Sequence, residues 1–205
     1  FGSASQRAIQ DRLKPVAVYF GSLNGSYVPP LTCLAEALDA ARWDFAVTWL
    51  GDQSVRQQVE KIRPVHDLGW FKIEGLPSLA EQTDVFVAVQ SFEERDRLTT
   101  SVNFQSKFTQ IAQFGKAVLV VAPSWSSISR WAKEKQANLG RPVVELVEDC
   151  SHASIKAALA RLENDAYRAE IGTALREAFL ADFDPAQLQG QLEDSLRKLA
   201  KDGVA

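Results

Sequence analysis

The chain has 205 residues, of which 46% are hydrophobic and 24% charged, a size and balance that suit one globular domain with its own core and argue against two compact halves. A formal net charge of -3, a sequence pI near 5.5 and the lack of any lysine–arginine run exclude nucleic-acid binding driven by long-range attraction. The cysteines, Cys33 and Cys150, stand far apart in no CxxC spacing and without a nearby histidine pair, which reads as buried free thiols rather than a zinc site.

The start, FGSASQRAIQDRLK, is polar and amphipathic and does not resemble a secretion signal, and no apolar segment reaches bilayer length. The expected setting is therefore cytoplasmic or membrane-peripheral. The chain has no methionine, so its start reads as a processing scar or the middle of a longer polypeptide. Residues 1–14 are expected to form an N-terminal helix or linker, and residues 15–205 a single domain.

From Pro15 onward strand-like and helix-like segments alternate. VAVYF at Val16–Phe20 reads as a short buried strand, followed by the small-residue turn GSLNGS and a helical pattern through Leu31, Leu34, Ala35 and Leu38, with Pro29 and Pro30 in its first turn. FAVTWLG (Phe45–Gly51) reads as a second strand, SVRQQVEKI as a short helix capped by Ser54, and VHDLGW from Val65 as a third strand. A brief helix at Leu76–Gln82 precedes the strand VFVAV. A loop over Gln90–Gln105, a helix opening at about Phe104, a glycine at Gly115 and the strand AVLVV then complete a βαβ unit. A helix from about Ser127 and a sixth strand in RPVVELV follow. The remainder reads as three helices, Ser154–Arg161, Ala166–Leu180 and Pro185–Ala200, the later two capped by Asp165 and Asp184. This alternation predicts an α/β fold: a doubly wound, Rossmann-like parallel sheet of about six strands, helices on both faces and a helical C-terminal tail.

In open parallel sheets ligands bind beyond the carboxyl ends of the strands, so the Gln90–Gln105 loop and the helix start after it are the natural place for chemistry. Residue by residue, each feature there has a structural alternative. Gly21 and Gly25 suit a tight βα turn as well as a ligand loop; Lys107 and Gln110 suit the solvated face of a helix; Glu93, Glu94, Arg95, Asp96 and Arg97 suit a solvated segment or a loop that closes over substrate. His66 reads as an interior or edge histidine, and His152, after Asp149 and Ser151, as part of a helix cap. Neither has a nucleophile arranged as a triad, which excludes nucleophilic hydrolysis. The tryptophans read as packing residues, Trp125 being the one expected nearest a ligand.

HDLGWFKIEGLPSLAEQTDVFVAV and KFTQIAQFGKAVLVVAP together resemble the carboxyl-terminal, donor-binding domain of GT-B fold glycosyltransferases of family four, the glycosyl transferases group 1. The second stretch is similar to that family's lysine-leucine-x-glutamate-tyrosine-leucine-alanine-x-glycine-lysine-proline-valine block without a gap: Lys107 falls on the lysine, Gln110 on the glutamate, and Gly115 and Lys116 on the glycine-lysine pair. VAVYFGSLNGSYVPPLTCLAEAL resembles the domain's first strand, glycine loop and helix, and DAYRAEIGTALREAF its late helix. The resemblance implies transfer of a sugar from a nucleotide-diphosphate sugar to a glycan or lipid-linked acceptor, within polysaccharide or glycoconjugate biosynthesis. It implies no cofactor and no metal, and an amino-terminal GT-B half in the same or another polypeptide. It implies nucleotide-sugar-binding roles for Gly21, Ser22, Asn103, Ser106, Lys107 and Gln110, and identifies no catalytic residue.

The departures are equally specific. Ser22 stands where many relatives carry an arginine, no lysine follows in the GSLNGS loop, Gln110 replaces a carboxylate, and Val102 lies near a position where relatives often carry a second glutamate. An alternative is therefore a degenerate, non-catalytic glycosyltransferase-like interaction module. A flavodoxin-like or receiver-type domain would want an acidic cluster after the first strand, and GSLNGS has none.

Overall fold

The computed structural model describes residues 14–21, 25–48, 53–69 and 72–202. Six strands, β1 (Val16–Phe20), β2 (Asp44–Thr48), β3 (His66–Asp67), β4 (Val85–Val89), β5 (Ala117–Val121) and β6 (Glu145–Val147), form one sheet in the order β3-β2-β1-β4-β5-β6. Every neighbouring pair is parallel. The helices are α1 (Val28–Ala40), α2 (Gln53–Glu60), α3 (Leu76–Glu81), α4 (Arg97–Val102), α5 (Ser106–Ala112), α6 (Ser127–Leu139), α7 (His152–Leu162), α8 (Asp165–Phe183) and α9 (Pro185–Asp202). This is the doubly wound, Rossmann-like arrangement expected from the alternation of elements.

β1, β4 and β5 are buried along their whole length, which is why they read as unbroken apolar runs: a parallel strand covered on both faces has no solvent side on which to place polar residues. Their side chains divide between two cores. Val18, Phe20, Phe86, Ala88 and Val118 pack with Phe108 and Ile111 of α5, Ile128 of α6 and Leu175 of α8. Ala17, Tyr19, Val85, Val87 and Leu119 pack with Leu34 and Leu38 of α1, Val55 of α2 and Leu159 of α7 on the opposite face. Because β1 has β2 on one side and β4 on the other, the chain winds outward in both directions from this pair, and the crevice above their carboxyl ends is the topological switch point.

One backbone contact fixes the depth at which α8 sits. Gly115, at φ 64°, turns the chain from α5 into β5, and Gly172 of α8 lies so close that a Cβ there would stand 2.0 Å from the Gly115 carbonyl oxygen. Ordinary contact needs about 3.5 Å, so this approach requires glycine in the helix.

Several local expectations are corrected. The Gln90–Gln105 segment is not plain loop: Glu94–Asp96 forms a single helical turn that runs into α4. The next helix begins at Ser106 rather than near Phe104, because Asn103 and Gln105 are extended and Phe104 turns inward against Phe108, Trp131 and Phe183, at ring-centroid distances of 5.7, 5.9 and 5.2 Å. α2 starts at Gln53, which puts Ser54 inside its first turn rather than at the cap. α8 is capped by Asn164, whose side chain accepts from the Ala166 and Tyr167 N–H groups, and not by Asp165. At α7, Ser151 is the cap, with Asp149 accepting from the Ser151 N–H and the Ser154 hydroxyl, and His152 opens the helix. The third strand is limited to His66–Asp67. Residues 1–13, Ser22, the end of the second strand around Trp49, and Trp70 lie outside the described residues.

Candidate functional site

A cleft of about 270 Å³ opens at the switch point. Its floor is made by Tyr19, Phe20 and Gly21 at the end of β1 and by Val87 and Ala88 of β4; its wall is the segment Asn103–Phe108 with Ile111, and Tyr27 closes one side. The strand ends place these residues together. The last residues of β1 and β4 are neighbours in the register, Tyr19 opposite Val87, and Gln105 is tied to the same edge by its Nε2, which donates to the Val89 carbonyl at 2.7 Å.

Gly21 leaves the sheet at φ 152°, its N–H held by Thr48 Oγ1 at 3.2 Å. Lys107 Cγ lies 3.5 Å from where a Cβ would stand here, so the lysine stem runs beside the end of β1, while the φ itself favours glycine. The Lys107 ammonium then sits 5.2 Å from the centre of the Phe20 ring, a cation–π contact. Among the described lining residues it is the single cation, and there is no carboxylate. Behind it, Gln105 at the start of α5 makes no side-chain cap bond, which among the described residues leaves the N–H groups of Ser106 and Lys107 without an intrahelical or capping acceptor. α5 spans only 7 residues, so attraction for an anion rests on these groups and on Lys107 rather than on a long helix dipole.

The structure brings four of the six sequence-derived residues into the cleft lining: Gly21, Asn103, Ser106 and Lys107. Ser22 lies outside the described residues. Gln110, one turn after Lys107 on α5, is not part of the lining; its Oε1 is buried and has no partner among the described residues. Sequence reasoning missed Tyr19, Phe20, Tyr27 and Phe104. The strand alternation carried the signal for β1, since its last side chains must fall at the edge where the sheet ends, whereas Tyr27 and Phe104 depend on how the loops return.

The segment above the cleft is held in place on two sides. Ser127 Oγ donates to the Asn103 carbonyl at 2.7 Å and an Arg130 N–H to the Ser101 carbonyl at 2.5 Å, joining α4 to the start of α6. The Arg97 guanidinium lies 5.6 Å from the ring centre of half-buried Trp125. The hydroxyls of Ser91 and Ser26 hold the Asp96 carboxyl below the usual carboxylate range, linking the turn before α1 to the segment after β4. Leu98 and Val102, one helical turn apart on α4, remain 76% and 72% exposed, so this helix presents apolar side chains to its surroundings. Among the described residues no cluster of three or more His, Cys, Asp or Glu side chains is placed to hold a metal ion, and no helix is long and apolar enough to cross a membrane.

No family model matches the sequence, and no curated protein matches it. Solved structures do. A sucrose-phosphate synthase from Thermosynechococcus elongatus is similar at 16% identity and a TM-score of 0.74, over 97% of this chain and 49% of that one. Anabaena HepE in complex with UDP and glucose is similar at 14% identity and a TM-score of 0.69, over 94% and 50%. A UDP-forming alpha,alpha-trehalose-phosphate synthase from Burkholderia vietnamiensis is similar at 15% identity and a TM-score of 0.66, over 97% and 48%. The chain thus has the fold seen in GT-B glycosyltransferases and spans about half the length of these three proteins.

Proposed function

We propose that this chain is the donor-binding half of a GT-B glycosyltransferase. It binds a nucleotide-diphosphate sugar, and an amino-terminal half, in the same or another polypeptide, supplies the side of the cleft that receives a glycan or lipid-linked acceptor. The observation that carries this reading is the cleft at the β1–β4 switch point, whose lining brings together Lys107 without a carboxylate beside it, the start of α5 with no side-chain cap, and Gly21. That combination suits a diphosphate, which needs positive charge and close main-chain donors. The rings of Tyr27 and Phe104, both in the lining and only partly buried, offer apolar surface for the flat base or the ribose face. Gln110, outside the lining and with its side-chain oxygen buried, adds nothing to this reading. A volume of about 270 Å³ falls just short of the usual range for ligand pockets, which agrees with a site completed by a second domain. The UDP named with HepE supports a nucleotide ligand for this fold.

A second reading, a degenerate interaction module, is favoured by the single cation in the lining and by exposed Val102. Titration calorimetry of the chain with UDP, GDP, dTDP and ADP and their sugars separates the two. Micromolar binding of one nucleotide is expected, weakened about 5- to 30-fold by Lys107→Ala, since a charge-assisted contact in an open cleft contributes about 1–2 kcal/mol. Silence toward the whole panel would remove the donor-binding proposal and leave the module.

A further inference from the structure

The two cysteines, 117 positions apart, meet in the fold. Cys33 lies in the second turn of α1 and Cys150 in the turn between β6 and α7; both are free and half-buried. The Cys33 thiol donates to the Cys150 carbonyl oxygen at 3.1 Å. A carbonyl oxygen sits about 2.4 Å from its own Cα, so the Cys33 sulfur lies within about 5.5 Å of Cys150 Cα. Rotation about χ1 of Cys150 turns its sulfur toward that of Cys33, and the bond closes where the two Cα atoms stand about 4.4–6.8 Å apart. Burial, together with a hydrogen bond to the Cys33 thiol, pushes the Cys150 thiol up to about 12, which again puts the two sulfurs side by side.

We infer that Cys33 and Cys150 form a reversible intramolecular disulfide by exchange with a low-molecular-weight disulfide. One of the two, as thiolate, attacks a sulfur of the small disulfide; that S–S bond breaks and a small thiol leaves, giving a mixed disulfide. The other cysteine attacks the protein sulfur of the mixed disulfide, the Cys33–Cys150 bond forms, and a second small thiol leaves. The two cysteine protons end on the two released thiols, and the small disulfide is the species reduced. The cross-link ties α1, the helix that follows the cleft residue Tyr27, to the carboxyl edge of β6. It does not depend on the identity of any donor.

The test is to expose the folded chain to glutathione disulfide at pH 9, because thiolate is the reacting form and Cys150 is held protonated, and then to map peptides without reduction. The expected product is a monomer that has lost both thiols, with the peptides containing Cys33 and Cys150 joined, two hydrogens lighter and separated again by dithiothreitol; it melts at a higher temperature than the reduced chain. Cys33→Ser and Cys150→Ser each stop at a single glutathione adduct. Separate adducts on both cysteines, cross-linked dimers, or two intact thiols after exposure that modifies the unfolded chain would overturn the inference. The peptide map of the unsubstituted chain decides the matter even if a variant fails to fold.

Discussion

Replacing Gly172 with alanine should destabilise this protein, although the rule for helices says the reverse. Alanine is favoured over glycine in a helix interior by about 0.8–1.0 kcal/mol, and Gly172 lies well inside α8. Against that, the new Cβ would stand 2.0 Å from the Gly115 carbonyl oxygen, 2.8 Å from its carbon and 3.1 Å from the Lys116 carbon. Reaching ordinary contact near 3.5 Å from the oxygen needs a shift of roughly 1.5 Å, and every atom met is main chain, so no side-chain rotation relieves it. The shift must lift α8, whose Ala174 and Leu175 are fully buried, or move the turn that joins α5 to β5. Overpacking of this kind costs about 1–3 kcal/mol, occasionally more. A Cβ at 2.0 Å from a main-chain oxygen belongs in the upper part of that range, about 2–3 kcal/mol; less the helix preference, the net loss is about 1–2 kcal/mol, and for a chain of this size that lowers Tm by about 2–8 °C. Gly190 of α9 provides the control, because a Cβ there meets nothing within 4 Å, so Gly190→Ala should hold or raise Tm. Thermal melts followed by circular dichroism read both variants. A Gly172→Ala protein as stable as the parent would show that the helix does not approach the turn as closely as described, and the argument for the seating of α8 would fall.

Two other expectations come from the edge of the sheet. Glu145, only 4% exposed, accepts from Arg161 Nε at 3.1 Å and from the Tyr167 hydroxyl at 2.8 Å. Glu145→Ala should cost about 1–2 kcal/mol, the lower part of the range for charge-assisted bonds because the Arg161 side chain is 53% exposed; a lower urea midpoint at unchanged slope would report it, and an unmoved midpoint would mean the cluster is idle. Burial, and then the bond to Glu145, push the Tyr167 phenol from 10.0 up to about 12. A raised phenol favours the protonated folded form, so its contribution is whole below pH 10 and is lost as pH climbs from 10 toward 12. Melts across that window should fall less steeply for Tyr167→Phe than for the parent, and parallel slopes would contradict the assignment.

The primary structure alone determined β1, β4 and β5, because a strand covered on both faces must be apolar throughout, and a run such as VFVAV has few other uses. It also determined the α/β class, since helical and strand periodicities alternate along the chain, and it pointed to the edge beyond β4 through the register of KFTQIAQFGKAVLVV. Only the tertiary structure decided the rest. The reversal between β1 and β4, the return of Phe104 and Tyr27 to the cleft, the absence of Gln110 from its lining, the close approach of Gly172 to Gly115 and the meeting of Cys33 with Cys150 all depend on packing rather than local pattern. Periodicity is a property of a few consecutive residues, whereas these contacts depend on where each element comes to rest against the others, and that is set by the whole core at once.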